Sequence, residues 1–307
     1  MEKKITLIFC LINLLSFGQL FEWDSIDHNP GKLNFFYTLA DTSKEQPIVI
    51  VLHGCQQNAK SLAEIANWNT VATKDSFHLL FPQQRKKNHR QYCFNWMNSE
   101  KAKKESESIM EYLDQFNKKY IVDSNQIYLV GYSAGAMLAT HLAAKFSSKF
   151  KSVVSYAGGP YLQHYPKNYG VKMLQGNWEL TKQEFKENLP HPNQKLPQLI
   201  IFHGVKDQLV SIKNSECLMQ QWLSNCDTCR WDFQQTHLEK ANHITVNTWS
   251  DSTHVVKYWF FQMDGIGHQI AVGDKKSKNH PFTKKIGMDS TEKILELFRE
   301  NKVQFAK

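Results

Sequence analysis

The stretch QIYLVGYSAGAMLATHLAA, residues 126–144, joins an apolar, strand-like run to a helix-like segment across one tight turn. Ser133 lies in this turn, with Gly131 and Gly135 two residues away on either side. A nucleophile on a sharp strand-to-helix turn has strained backbone angles and close neighbours, so both flanking positions must lack bulk. The helix that follows would direct its free N–H groups towards the place where a negative oxygen forms. The alternative is a small residue in an ordinary turn, but the strand-turn-helix context favours a nucleophilic Ser133.

Strand-like and helix-like segments alternate along the chain, which indicates an α/β fold with a mostly parallel sheet and helices on both faces. The predicted strands cover residues 33–39, 47–52, 78–81, 126–130, 152–156, 198–202 and 255–263. The predicted helices cover residues 61–74, 102–120, 134–145, 181–188, 212–224 and 290–300. Because no repeat, low-complexity tract or linker interrupts this pattern, we expect one domain over residues 19–307. Residues 158–197 are rich in Pro, Tyr, Asn and Gln, and we expect an insertion there over the carboxyl edge of the sheet.

The composition is that of a globular protein. Of the 307 residues, 41% are apolar and 12% are aromatic, which is enough for a full core. The formal net charge of +8 is spread along the chain, with local basic runs at residues 85–87, 101–104 and 275–278. No nucleic-acid-binding motif accompanies these runs, so we interpret them as solvated surfaces and expect no nucleic-acid partner. Positive charge would favour contact with acidic polymers or with an anionic envelope surface.

The first 18 residues have the pattern of a secretory signal peptide. Lys3 and Lys4 precede an apolar stretch at residues 5–15, and small residues follow up to Gly18. A membrane anchor is the alternative, but about 11 apolar residues are too few for the roughly 20 that a spanning helix needs. Lipid attachment at Cys10 is disfavoured because the residue before it is a bulky phenylalanine. We therefore expect a secreted protein, extracellular or periplasmic, with no membrane span.

Five cysteines follow the predicted signal peptide, namely Cys55, Cys93, Cys217, Cys226 and Cys229. In an exported protein we expect some of them to form disulfide bonds, and the odd number leaves at least one thiol unpaired or paired outside the chain. The segment from Cys226 to Cys229 has redox spacing. A redox pair, however, lies at the start of a helix, where the helix dipole lowers the thiol pKa, and this pair follows a predicted helix instead. A structural role is therefore favoured.

A nucleophilic serine needs a base, and the base needs a carboxylate that orients it. In a parallel sheet these groups would follow at the carboxyl ends of later strands. Asp207 comes shortly after the strand predicted to end at residue 202. His268 follows the last predicted strand in a loop that contains two glycines, which allow the chain to turn. We therefore predict a catalytic triad, a hydrogen-bonded row of Ser133, His268 and Asp207. Asp264 is a second candidate for the acid, but its position directly at a strand end makes it an awkward partner for His268.

The loop after the predicted strand at 47–52 is a candidate oxyanion hole. Gly54 lets the chain turn and direct backbone N–H groups at the site. We expect one donor to be the N–H of Ala134 and the second to be the N–H of Cys55 or Gln56. His53, at the start of the loop, is more suited to bracing it than to acting as a base.

Five segments together resemble one enzyme family. They are LHGCQQ at residues 52–57, YCFNW at 92–96, GYSAG at 131–135, HGVKDQLV at 203–210 and GIGH at 265–268. In this order they resemble the polyhydroxybutyrate-depolymerase-like and feruloyl-esterase-like branch of the α/β-hydrolases, over roughly residues 33–300. The resemblance implies an α/β-hydrolase fold and secreted carboxylester hydrolysis, with Ser133, Asp207 and His268 in the catalytic roles.

The resemblance also implies two features beyond the catalytic row. It places Trp96 near the substrate cleft as a candidate binding residue, although a tryptophan is equally suited to the core. It further implies that Cys55 and Cys93 are close, so that a disulfide bond would stiffen the oxyanion loop. After the histidine, family members often carry a Trp-Pro pair, whereas this chain has QIAVG at residues 269–273. That departure bears on the substrate and not on the chemistry.

These features predict a secreted serine esterase that acts on feruloyl or acetyl esters of plant polysaccharide or on hydroxyalkanoate esters. A serine peptidase on the same scaffold is one alternative, since such a row does not choose between ester and amide. A catalytically silent polymer-binding protein is another, although every position of the row holds a competent residue. We expect no cofactor and no metal, because the histidines lack a zinc spacing such as HExxH.

Overall fold

The computed structural model describes residues 19–163, 169–177, 180–238, 241–273 and 280–303. The predicted signal peptide at residues 1–18 and the basic run at residues 275–278 lie outside the described residues. In the part of the chain that the structure describes, no helix is long and apolar enough to cross a membrane.

Strands and helices alternate along the described residues. The strands are β1 (Phe21–Trp23), β2 (Asn34–Thr38), β3 (Gln46–Leu52), β4 (His78–Gln83), β5 (Val122–Tyr132), β6 (Ser152–Tyr156), β7 (Gln198–Gly204), β8 (Asp232–Leu238), β9 (Ala241–Ser250), β10 (Val256–Met263), β11 (Ile270–Val272) and β12 (Thr283–Lys285). The helices are α1 (Ala59–Ile65), α2 (Trp68–Asp75), α3 (Ser99–Lys119), α4 (Ala134–Lys145), α5 (Tyr169–Leu174), α6 (Lys182–Glu187), α7 (Lys213–Ser224) and α8 (Ser290–Val303).

A ten-stranded sheet forms the centre of the molecule, in the order β1-β2-β4-β3-β5-β6-β7-β10-β9-β8. From β4 to β10 the neighbouring strands run parallel, whereas β1 and β2 at one edge and β9 and β8 at the other run antiparallel. The predicted mostly parallel sheet is therefore confirmed. A parallel centre brings the carboxyl ends of β3, β5, β7 and β10 to one edge of the sheet.

Both faces of the parallel centre of the sheet are buried, as the apolar strands predict. Every residue of β3 is buried, and its side chains alternate between the two faces. Val49 and Val51 join a core cluster with residues of α8, whereas Ile48, Ile50 and Leu52 join a second cluster with residues of α3 and α4. Helices therefore cover the sheet on both sides, which leaves the strand ends as the place for a site.

Several elements differ from the prediction for identifiable reasons. The helix predicted at 61–74 is two helices, α1 and α2, because the chain turns at Asn67, which has a φ of 57°. Strand β8 was missed because nearly all of its side chains are exposed, so it lacks the alternation of apolar and polar residues that marks a half-buried strand. Strand β9 pairs with it and was missed as well.

The described part of residues 158–197 contains α5 and α6. Leu162 and Met173 pack in one buried cluster with Trp96 and Met137, next to the start of α4. This segment therefore lies beside the turn that carries Ser133.

The two glycines around Ser133 are needed for backbone contact. A Cβ atom at Gly131 would meet the backbone of Gly135, and a Cβ atom at Gly135 would meet the carbonyl oxygens of Leu52 and His53. Strand β5, helix α4 and strand β3 therefore approach one another main chain to main chain at this point, as the flanking glycines predicted.

We expect Gly135→Ala to destabilise the protein, although alanine favours helix by roughly 1 kcal/mol over glycine. The added methyl group would lie within 2.5 Å of the His53 carbonyl oxygen, so β3 or α4 must shift. Overpacking of this kind costs roughly 1–3 kcal/mol. Urea denaturation of Gly135→Ala against Gly273→Ala measures the effect, because a Cβ at Gly273 meets its nearest neighbour at an ordinary 3.5 Å. Equal stability of the two variants would contradict the backbone contact.

Candidate active site

Ser133 lies on the turn between β5 and α4 in an unusual backbone conformation. Its φ is 53° and its ψ is −119°, a combination that L-residues rarely adopt. The Ser133 N–H donates a hydrogen bond of 2.8 Å to the carbonyl oxygen of Tyr156 at the end of β6, which holds the turn in place. The side chain is thereby presented at the carboxyl edge of the sheet, directly before the first helical residue Ala134.

His268 and Asp207 meet Ser133 at this edge. The His268 Nε2 lies 2.9 Å from the Ser133 Oγ, and the His268 Nδ1 lies 2.6 Å from the Asp207 Oδ2. The carboxylate accepts the Nδ1 proton, so Nε2 is left to accept the serine hydroxyl proton. The Asp207 side chain is fully buried, and 19% of the His268 side chain is exposed. The structure thus brings together the three residues that the sequence analysis selected, and their catalytic roles stay a prediction at this point.

Asp207 is held by its own turn. Its Oδ1 accepts hydrogen bonds of 2.9 Å from the backbone N–H groups of Leu209 and Val210. Its Oδ2 lies 3.4 Å from the Nε2 of His203, which also donates a 2.8 Å hydrogen bond to the Val210 carbonyl oxygen. These contacts hold the turn at residues 207–210 against His203 at the carboxyl end of β7.

His203 is a residue that the sequence analysis quoted in a motif without giving it a role. It is fully buried, and its Nδ1 accepts a 2.6 Å hydrogen bond from the Ser215 hydroxyl in α7. A neutral imidazole with its proton on Nε2 satisfies both contacts. The only signal in the sequence is its position four residues before Asp207, and its partner in α7 is visible only in the folded protein.

The pKa of Asp207 lies well below its ordinary range. Burial alone would raise the pKa of Asp207, but hydrogen bonds from His203, His268 and the Val210 N–H stabilise the ionised carboxylate and lower it further than burial raises it. The group is therefore a permanent anion beside His268.

Asp264, the second candidate for the acid, lies outside the row. It is exposed, and its backbone N–H donates to the His243 carbonyl oxygen at 2.8 Å. Asp207 occupies the position beside His268 instead, so the reserve assignment of Asp264 is not supported.

The loop after β3 lies against Ser133, since a Cβ at Gly54 would lie 3.4 Å from the Cβ of Ser133. The Gln56 N–H is already donated to the Gln91 carbonyl oxygen at 2.7 Å, which corrects the assignment of Gln56 as a possible oxyanion donor. Among the described residues, no acceptor pairs with the N–H of Cys55. Ala134 begins α4, where backbone N–H groups have no partner within the helix. Cys55 and Ala134 are therefore the two candidate donors.

His53 braces this loop, as expected. Its Nε2 accepts the Gln84 N–H at 3.1 Å, and its Nδ1 donates to the Gly54 carbonyl oxygen at 2.7 Å. Burial lowers the pKa of His53 to about 4, so the ring is neutral and serves as a fixed link between β3 and the segment after β4.

A cavity of about 470 Å³ opens over Ser133 and His268. Its described lining contains no Asp, Glu, Lys or Arg, and consists of apolar side chains with a few amides such as Gln91 and Gln269. Trp96 lines it but is only 6% exposed and packs against Met137, so the residue is part of the wall and of the core at once. The cavity is therefore neutral, and its shape is set by packed side chains.

The described residues form two disulfide bonds, Cys55–Cys93 and Cys226–Cys229. The first joins the loop after β3 to the cavity wall, which is the pairing that the family resemblance implied. Cys217 is a free, half-buried thiol, and burial raises its pKa to about 12, so it stays protonated. In the described part of the chain, no group of His, Cys, Asp and Glu side chains could hold a metal ion.

Comparison with known proteins agrees with the motifs. Residues 35–166 match the family model described as Esterase PHB depolymerase. The predicted resemblance to this branch is thereby confirmed.

Two curated relatives show how far the similarity extends. The chain is similar to poly(3-hydroxyalkanoate) depolymerase C of Paucimonas lemoignei, with 27% identity over 202 residues that cover 63% of this chain and 49% of the relative. It spans only about half the length of that depolymerase. It is also similar to acetylxylan esterase A of Aspergillus oryzae, with 23% identity over 283 residues that cover 87% of this chain and 89% of the relative.

Among solved structures, the chain resembles an acetyl xylan esterase from Aspergillus awamori. The TM-score is 0.71 at 17% identity, over 81% of this chain and 94% of that chain. A dienelactone hydrolase-like phosphotriesterase, P91, has a TM-score of 0.54 at 13% identity, over 92% of this chain and 98% of that chain. The predicted α/β-hydrolase fold is therefore confirmed.

We expect Asp207→Asn to lower the free energy of unfolding at neutral pH by about 3 kcal/mol, because it removes a buried charge that several donors stabilise. The folded-state pKa lies below the unfolded value of about 3.9, so the carboxylate stabilises the fold above that pH and loses this contribution as the pH falls below it. The difference between wild type and Asp207→Asn should therefore shrink in acid. Denaturation at several pH values measures it, with the exposed Asp264→Asn as control, and a difference independent of pH would argue against an ionised Asp207.

The two disulfide bonds should stabilise the protein unequally. Cys55 and Cys93 are separated by 38 residues, whereas Cys226 and Cys229 are separated by 3. By the chain-entropy argument, replacing the first pair by serine costs about 4 kcal/mol and replacing the second about 2 kcal/mol. Urea denaturation of the two double variants checks this order, and equal losses would show that loop closure is not the source of the stabilisation.

Proposed function

We propose that this protein is a secreted serine carboxylesterase. The observation that carries the proposal is the hydrogen-bonded row Ser133–His268–Asp207 beside the backbone N–H groups of Cys55 and Ala134. Similar proteins that include a poly(3-hydroxyalkanoate) depolymerase, an acetylxylan esterase and a feruloyl esterase support ester hydrolysis as the reaction class. Secretion is supported by the predicted signal peptide and by the two disulfide bonds, which persist in oxidising compartments.

In the first half of the reaction, His268 Nε2 takes the hydroxyl proton of Ser133 as the serine oxygen attacks the ester carbonyl. The carbonyl oxygen becomes an oxyanion, which the N–H groups of Cys55 and Ala134 stabilise. Loss of one such donor typically costs ~10²–10³ in rate, so the geometry of the Gly54 loop matters nearly as much as the row itself. The tetrahedral intermediate collapses, His268 gives its proton to the leaving alcohol, and an acyl-serine remains.

In the second half, a water molecule gives a proton to His268 and attacks the acyl-serine carbonyl. The same two N–H groups stabilise the second oxyanion. Collapse releases the carboxylic acid, and the proton returns from His268 to the Ser133 oxygen. Asp207 stays ionised throughout and stabilises the imidazolium that forms in each half.

The neutral cavity supports an uncharged acyl group. Burial of a charged acyl chain against a lining without ionised side chains would cost its solvation without a partner. Acetyl esters, feruloyl esters and short hydroxyalkanoate esters all meet this requirement, and Trp96 is proposed to contact the bound ester from the cavity wall.

We expect Ser133→Ala to abolish covalent labelling by a fluorophosphonate probe and to reduce kcat/KM on 4-nitrophenyl acetate by at least ~10⁴-fold, as loss of a nucleophile does. The matched control is Ser147→Ala, whose serine is buried beyond the far end of α4 and should have no part in the reaction. Labelling that survives in Ser133→Ala would refute the nucleophile. Absence of labelling in the wild type would favour a binding protein, and turnover of peptides in place of esters would favour a peptidase.

A further inference from the structure

A segment that contributes residues to the cavity wall is strongly basic. The segment RKKNHRQYCFNWMNSEKAKK, residues 85–104, contains seven Arg and Lys residues and a single acidic residue, Glu100. The net charge of the whole chain is +8, and this segment is one of its local basic runs. A local imbalance of this size creates a positive potential over the neighbouring surface.

Exposed basic residues of this segment are close in sequence to residues that line the cavity. His89, Gln91 and Asn98 all line the cavity, and Arg90 is exposed between the first two. Lys101 follows on the first turn of α3, where its backbone N–H donates to the Asn98 side chain at 3.0 Å. The pKa of His89, which lines the cavity, is lowered by burial and by the positive charge of Lys101. We define the cationic rim as the exposed residues Lys86, Lys87, Arg90 and Lys101.

The segment that carries the rim has a fixed place on the fold. The Asn88 side chain donates to the carbonyl oxygens of Gly31 and Lys32 and to the side chain of Gln84. The Gln91 carbonyl oxygen accepts the Gln56 N–H, and the Cys55–Cys93 disulfide bond follows two residues later. The backbone that carries the positive charges therefore has a fixed position relative to Ser133.

The charges of the rim are not neutralised within the protein. Among the described residues, no carboxylate forms an ion pair with Lys86, Lys87, Arg90 or Lys101. Glu105, the next acid along the chain, is 2% exposed and accepts hydrogen bonds from Gln84 and Asn95. Burial raises its pKa and the positive charge of Lys101 opposes that rise, so Lys101 is the rim residue whose charge is partly offset. The rim is therefore available to an external anion.

The cavity itself is neutral, so charge and ester must occupy different parts of the substrate. The ester group would enter the cavity while the negative groups stay outside along the rim. Amide side chains, which donate and accept hydrogen bonds together, line the entrance at Gln56, Gln91 and Gln269, and this chemistry matches sugar hydroxyl groups better than acyl chains.

We propose that the cationic rim binds the carboxylate groups of an anionic, uronate-bearing polysaccharide whose ester is hydrolysed at Ser133. This inference rests on the proposed function and assigns its substrate class. Exposed ion pairs contribute modestly one by one, but several charges on a polymer act together and are screened by salt. The rim would thus lower KM for an acidic polymer without changing the chemical step.

The test compares acetate release from an acetylated glucuronoxylan and from the same polymer after carbodiimide-mediated reduction of its uronates to neutral sugars. We expect kcat/KM to favour the acidic polymer by about tenfold at low salt, with the preference disappearing at several hundred millimolar NaCl as the charges are screened. In Lys86→Gln/Lys87→Gln/Arg90→Gln the ratio of the two values should fall to near one through an increase in KM on the acidic polymer.

The control is Lys118→Gln/Lys149→Gln/Lys195→Gln, which removes the same charge at the opposite edge of the sheet, where these exposed residues precede β5, β6 and β7. It should keep the preference for the acidic polymer, and thermal denaturation checks that both triple variants are folded. The wild-type comparison at low and high salt tests the proposal without any variant.

Equal rates on the acidic and the reduced polymer, or an equal loss in both triple variants, would overturn the cationic rim. So would inhibition of the wild type by anionic phospholipid vesicles or DNA with no preference for the acidic polysaccharide. Hydrolysis of 4-nitrophenyl acetate separates the two proposals: if this small ester is hydrolysed while the polymers are not distinguished, only the rim fails, and if no ester is hydrolysed, the proposed function fails.

Discussion

The close contact between β3, β5 and α4 is the constraint on which the site depends. Gly131 and Gly135 allow the main chains to approach without side chains between them, and the Ser133 N–H is fixed to the end of β6. The strained backbone of Ser133 persists because these neighbours leave it no relaxed alternative. The same contact brings the loop at Gly54 against Ser133. The packed segments therefore fix the positions of the serine hydroxyl and of its two candidate oxyanion donors together.

The parallel centre of the sheet supplies the remaining groups. Asp207 follows β7 and His268 follows β10, and both strands end at the edge where β5 ends. The acid is buried without being neutralised, since backbone N–H groups and two imidazoles compensate for its lost hydration. His203 has a positioning part in this arrangement, because it connects the acid turn to α7 through Ser215.

Charge is distributed around the cavity in a way that separates chemistry from recognition. Among the described residues that line the cavity there is no Asp, Glu, Lys or Arg, whereas the segment at residues 85–104 beside it is rich in exposed basic residues. The Cys55–Cys93 disulfide bond couples the two, since it joins the loop that would stabilise the oxyanion to the wall that carries the rim. A displacement of either segment would therefore shift the other through this bond.

The alternation of strands and helices, the turn at Ser133, and the chain order of Ser133, Asp207 and His268 are readable from the amino-acid sequence, because they depend on local periodicity and on residue types at strand ends. The folded chain is needed to show that Asp207 and not Asp264 lies beside His268, that the Gln56 N–H is paired with Gln91, and that His203 is linked to Ser215. Each of these contacts joins separate segments of the fold, so local sequence patterns do not reveal them. Strand β8 likewise depends on pairing with β9. Its exposed side chains have no alternation of apolar and polar residues from which a strand could be predicted.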